Sequence, residues 1–178
     1  ATVASIDLGH VCDASCPTIP DLERVARGRV EIHRGQSTSN PIRQDREYLG
    51  ISGEHAFHAA TGLALDMTVR RAGDGGHDFL VHGIAIDVKC VSDLGRMLVG
   101  TNEQRCDLRV LAHYRSLGRS RLIGWEFDDV IHLSPTRPGR NNYINHVTLA
   151  RNLRPMSELW EYFGVQESLE EQWAYADS

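Results

Sequence analysis

Asp78, Asp87 and Lys89 are the residues whose types and spacing point most directly to chemistry. They belong to one segment, Asp-Phe-Leu-Val-His-Gly-Ile-Ala-Ile-Asp-Val-Lys, that reads as a β-hairpin turning at His82-Gly83. A two-residue hairpin turn needs positive φ at its central positions, where glycine is unrestricted and histidine is among the tolerant side chains. With that turn Val81 faces Ile84, Leu80 faces Ala85, Phe79 faces Ile86 and Asp78 faces Asp87, which makes the two carboxylates direct cross-strand neighbours with Cβ atoms about 5 Å apart. Alternation puts Phe79, Val81, Ile84, Ile86 and Val88 on a core face. Asp78, Leu80, Ala85, Asp87 and Lys89 share the other, expected to be wet apart from the end that Leu80 and Ala85 keep dry. Lys89 follows Asp87 by about 6.6 Å on the same side of the strand.

Two ionised carboxylates that close repel by about 3 kcal/mol at an effective dielectric near 20. Lys89 offsets part of this cost. Paired oxygens are also what a hard cation such as Mg²⁺ or Mn²⁺ prefers, and such a cation acidifies bound water and neutralises a phosphate under attack. Lys89 is the single lysine of the chain, every other basic residue among the 19 Lys+Arg being arginine. A position that keeps lysine against that bias needs a compact ammonium able to sit beside a water or a phosphoryl oxygen.

The elements that must position these groups follow from periodicity and punctuation. Residues 21–30 read as a short helix inside an otherwise irregular first fifty, and residues 36–40 as a polar loop before Pro41. The arginines of this region, among them Arg24, Arg27, Arg29 and Arg46, form the densest basic group, a solvated face or an arm touching a phosphate backbone. Ser52 is expected to cap a helix over residues 53–60, with Glu54 in its first turn and Gly62 as its stop. Residues 63–71 read as a strand, 73–76 as a turn, and 96–100, 107–114 and 121–127 as further strands. A short helix is expected around residues 101–106, and Ser157 is expected to cap a last helix ending at Gly164.

At 178 residues, with 41% hydrophobic and 24% charged residues, the chain has the size of one domain and the composition of an ordinary globular protein. No apolar run approaches the roughly 20 residues of a membrane span, and no basic-then-apolar leader opens the sequence, so a cytoplasmic protein with no membrane association is expected. The net charge of -5 is concentrated at the end: Glu158, Glu161, Glu167, Glu170, Glu171 and Asp177 have no basic partner there. The rest is close to neutral and rich in arginine, compatible with a phosphate-facing surface. Four cysteines are too few and scattered for a disulfide framework. His10, Cys12 and Cys16 form a half-site for zinc without a second half.

These residues resemble the PD-(D/E)XK nuclease superfamily, whose signature is an acid, a short hairpin, then Asp or Glu, any residue, and Lys. Asp78 and Asp87-Val88-Lys89 match it, Glu54 in Gly-Glu-His-Ala-Phe matches the acid many members carry on the preceding helix, and His77 stands where proline is usual. The resemblance covers the helix, strands and crossover from residue 53 to about 114. It implies an α/β (α+β) fold with a restriction-endonuclease-like mixed β-sheet flanked by helices. It also implies one domain over 1–178, with an N-terminal extension at 1–49, a nuclease core at 50–135 and an acidic C-terminal helix or tail at 156–178. Asp78, Asp87, the Val88 carbonyl and Glu54 are then the Mg²⁺ or Mn²⁺ ligands and Lys89 serves the attacking water. His58, His77 and Gln104 are candidate substrate contacts, with Asn102 a weaker one. The implied activity is hydrolysis of phosphodiester bonds in double- or single-stranded DNA, with RNA as an alternative substrate, in phage or prokaryotic DNA processing, repair or defence. A homodimer would suit double-strand cutting. The competing readings are an inactive nuclease-like fold that binds nucleic acid or protein, and an unrelated α+β domain with zinc at His10, Cys12 and Cys16.

Overall fold

A computed structural model describes residues 16–34, 42–69, 76–139 and 143–164. The expected loop at 36–40, most of the turn at 73–76, His10, Cys12 and the acidic tail lie outside the described residues. Helix α1 (Ile19–Arg34) is longer than the expected 21–30. Thr18 and Asp21 close its start reciprocally, Asp21 Oδ2 accepting the Thr18 N–H at 3.0 Å and Thr18 Oγ1 the Asp21 N–H at 3.4 Å. Its apolar stripe of Leu22, Val25 and Ala26 packs on Ile51, so this part of the presumed extension belongs to the folded body.

Helix α2 (Ile42–Thr61) corrects the expectation of a start at residue 53. Ser52 is not its cap. It is fully buried inside the helix, where it shares a 2.7 Å hydrogen bond with Ser120 Oγ and accepts the Gly118 N–H at 3.3 Å, serving a neighbouring loop instead of its own helix. Gly62, at φ 69, stops the helix as expected. Gly53 lets α2 lie against the sheet, since a Cβ there would stand 2.7 Å from that of Cys90.

The hairpin forms as expected from β1 (Phe79–Val81) and β2 (Ile84–Val91), with His82 at φ 51 and Gly83 at φ 85. Its pairs are Val81↔Ile84, Leu80↔Ala85 and Phe79↔Ile86. Strands β3 (Arg96–Gly100), β4 (Leu108–His113) and β5 (Arg121–Phe127) also match the expected runs. Beyond them stand a one-turn helix α3 (Asp128–Ile131), β6 (Thr136–Pro138), β7 (Ile144–Leu149) and α4 (Met156–Tyr162). Helix α4 is preceded by Pro155, with Ser157 inside it, because proline's fixed φ suits a helix start.

The fold is α+β: a mixed four-stranded sheet ordered β1-β2-β4-β5 and a three-stranded sheet ordered β3-β7-β6, flanked by helices. Strands β2 and β4 are parallel, with Asp87 beside Arg109 and Lys89 beside Leu111, and the other pairings are antiparallel. Three expectations change. Residues 63–69 join neither sheet, and Leu63 and Leu65 serve as packing for the core. Residues 101–107 form a turn and loop, not a helix. Strand β3 leaves the main sheet to pair with β7, so the crossover from β2 to β4 passes through a second sheet.

The main core lies on the face of the four-stranded sheet carrying Phe79, Val81, Ile86, Val88, Leu108 and Val110, against Phe57 of α2 and Leu159 and Trp160 of α4. On the opposite face Leu111 packs with Met97, Val99 and Ile131. Gly83→Ala is expected to lower stability by about 1 kcal/mol through its positive φ alone, because nothing lies within 4 Å of the added Cβ. A urea midpoint unchanged by the substitution would contradict that account.

Candidate active site

Because β2 alternates, Ile86 and Val88 enter the core while Asp87 and Lys89 project toward the second sheet. That face is half-buried, not wet: the Asp87 and Lys89 side chains are 14% and 26% exposed. Parallel pairing sets Arg109, fully buried, next to Asp87. Asp87 Oδ2 accepts from Arg109 Nη1 at 2.7 Å and lies 3.1 Å from Lys89 Nζ. Glu103, from the 101–107 loop, joins both cations: Lys89 donates to its Oε1, Arg109 does so at 3.1 Å, and its Oε2 accepts the Gly100 N–H at 3.0 Å. Arg109 Nε donates to Asp128 Oδ1 at 2.6 Å and Nη2 to the Gln104 carbonyl at 2.7 Å. Arg105 ties Asp128 and Asp129 from outside.

Asp78 does not stand directly opposite Asp87. Its N–H already bonds to the Ile86 carbonyl at 2.8 Å, so the chain leaves the ladder there, and its Oδ2 accepts the Val88 N–H at 2.7 Å. The carboxylate thereby satisfies an edge donor that β1 is too short to reach. Peptide groups of a strand point alternately to its two edges, and N–H and C=O of one residue share an edge. The Val88 carbonyl therefore faces the edge where Asp78 sits.

The other expected residues are placed as follows. Glu54 is buried on α2 and held by Arg29 of α1 at 3.1 Å, and Arg29 also donates to the Asp66 carbonyl at 3.0 Å. His58 is buried, with Nδ1 2.6 Å from the Leu63 carbonyl just past the helix end. Leu80, expected to keep the site dry, is 54% exposed. Gln104 is exposed, its side chain lying over Gly76, and Asn102 is an exposed turn residue. His77 is half-buried just before Asp78. Cys16 of the presumed zinc half-site is half-buried.

Glu103, Arg109 and Asp128 are the members of this centre that sequence reasoning missed. Arg109 carries a signal, a charge inside the apolar run Leu-Arg-Val-Leu-Ala of a central strand, whereas nothing local marks Glu103.

The charges hold one another in place. Burial alone would lower the Lys89 ammonium, but Asp87 and Glu103 beside it outweigh that and raise it above its ordinary value. Burial would raise Glu103 and Asp128, but Lys89 and Arg109 pull the first below the usual carboxylate range and Arg109 and Arg105 the second. Lys89 is therefore held as an ammonium paired with Asp87 and Glu103. Cys106, pushed up to about 12 mainly by burial, is a neutral thiol and no nucleophile.

Among the described residues no group of three or more His, Cys, Asp or Glu side chains forms a ready-made metal cage. Two carboxylates and a carbonyl are nevertheless oxygen donors of the kind a hard cation takes: Asp78 and the Val88 carbonyl face the β1 edge of β2, and Asp87 on the same strand has both its described contacts on Oδ2. Compared with known proteins, the chain matches no family model, no curated protein and no solved structure.

Arg109→Met and Asp128→Ala, each leaving a buried partner uncompensated, are expected to cost about 3–5 kcal/mol in denaturant unfolding; a loss below about 1 kcal/mol would contradict the network's structural role. The depressed Glu103 and Asp128 contribute stability above their ordinary values of 4.5 and 3.8 that is lost as pH falls through their lower folded values. The raised Lys89 contributes stability below 10.5 that is lost as pH rises past its folded value. The expected profile is a thermal midpoint highest between about pH 7 and 9. On the acid side it declines as half-buried His55 resists protonation and then as Glu103 and Asp128 are neutralised, the last step less steeply in Asp128→Asn. On the alkaline side it declines as the unfolded chain ionises the thiol that burial keeps protonated at Cys106.

Proposed function

We propose that the protein is a metal-dependent nuclease of the PD-(D/E)XK kind that hydrolyses phosphodiester bonds of DNA. The observation that carries this reading is the hairpin edge, where Asp78 is fixed on the N–H of Val88, the residue between Asp87 and Lys89. Asp78, Asp87 and the Val88 carbonyl would hold Mg²⁺ or Mn²⁺. When bound, the cation supplies charge neutralisation at the phosphate and an acidified water. Lys89, kept protonated by Asp87 and Glu103, donates to the water or a phosphoryl oxygen and stabilises charge developing on phosphorus. Water oxygen would bond to phosphorus and release a proton to solvent, while the bond to the leaving sugar oxygen breaks and that oxygen takes up a proton from solvent. Glu54, paired with Arg29, acts from an outer position by setting α2 and its neighbours.

One observation favours the alternative of an inactive nuclease-like binding module: both described partners of the Asp87 carboxylate are cations. Incubation with supercoiled, linear and single-stranded DNA and with RNA, in Mg²⁺, Mn²⁺ or EDTA, separates the two. The nuclease reading expects metal-dependent cleavage that falls by at least about 10²-fold in Asp87→Ala and Lys89→Ala. Binding with no cleavage, or cleavage equal in wild type and variants, would favour the module.

A further inference from the structure

We infer that Arg109 is a positioning residue that fixes Asp87 as a one-oxygen ligand and limits the centre to a single divalent cation. This rests on the metal-centre reading above. Arg109 Nη1 stands 2.7 Å from Asp87 Oδ2 and 3.1 Å from Glu103 Oε1, so it occupies the carboxylate oxygens on the β4 side of Asp87. Lys89 can swing aside on its flexible, partly exposed stem. Arg109 has no such freedom: its side chain is fully buried, and its fork is pinned at Nε by the equally buried Asp128 and at Nη2 by the Gln104 carbonyl. A planar guanidinium held at two of its three nitrogens presents the third in one direction only. Asp87 therefore keeps Oδ2 on Arg109 and offers Oδ1 alone, on which no described donor falls. A second dication at Oδ2 would also meet the full charge of Arg109 in a half-buried setting, where repulsion is weakly screened.

Two-metal nuclease centres hold their ions about 3.5–4 Å apart, close enough for bound Mn²⁺ ions to couple magnetically. Titration of the full chain with Mn²⁺, followed by electron paramagnetic resonance, reads both the number of ions and that coupling. Wild type is expected to bind one ion per chain with an uncoupled spectrum at every loading, and Asp87→Asn to weaken it by at least about tenfold. Arg109→Gln, which frees Asp87 Oδ2 and Glu103, is expected to take up a second ion. If that variant does not fold by circular dichroism, Glu103→Gln, which leaves Arg109 pinned by Asp128 and Gln104, is expected to keep a count of one. Two ions or a coupled spectrum in wild type, a count of one in folded Arg109→Gln, or two in Glu103→Gln would overturn the inference while leaving the nuclease reading standing. No ion at all, with DNA left intact, would overturn both.

Discussion

A guanidinium with no access to water is tolerated in a fold only when its donors meet acceptors that are themselves held, and Arg109 meets this condition through four acceptors from three separate parts of the chain. Asp87 comes from β2, Glu103 and the Gln104 carbonyl from the crossover loop, and Asp128 from the first turn of α3. The parallel pairing of β2 with β4 puts Arg109 beside Asp87, and the loop and α3 close over the pair. The space between the two sheets is thus organised around one cation, with the apolar cluster of Met97, Val99, Leu111 and Ile131 in the same layer. The residues offered for chemistry stand at the rim of this arrangement.

That dependence explains why Lys89 works as an ammonium. Asp87 and Glu103 keep it charged, and its retention in a chain otherwise restricted to arginine fits a task for a compact donor. Asp78 is held differently: it caps an edge N–H of β2, a contact made by a single oxygen. The two acids of the motif therefore differ in setting, one anchored among cations and the other at the open edge.

The hairpin was legible because its determinants are local. A turn dipeptide able to take positive φ, with alternation on both sides, specified register from Val81↔Ile84 to Phe79↔Ile86. What happens one residue further was not, since the departure of Asp78 depends on how short β1 is and on an edge donor only the sheet reveals. The start of α2 was missed because Ser52 has the chemistry of a cap but spends it on Ser120 and Gly118, partners more than sixty residues away. Glu103 was equally hidden, because an acid in a polar loop looks solvated until the crossover brings it onto β2. The mixed sheet itself was implied by the resemblance carried by the hairpin motif. The three-stranded sheet was not, as β6 and β7 lie in a stretch with weak strand signals.

The central claim is that the edge formed by Asp78, Val88 and Asp87 receives a divalent ion. Anomalous diffraction from crystals soaked in Mn²⁺ tests it most directly. The account predicts a peak at these residues, with Arg109 still on Asp87 Oδ2. A protein saturated with Mn²⁺ that shows no peak at this edge would contradict it.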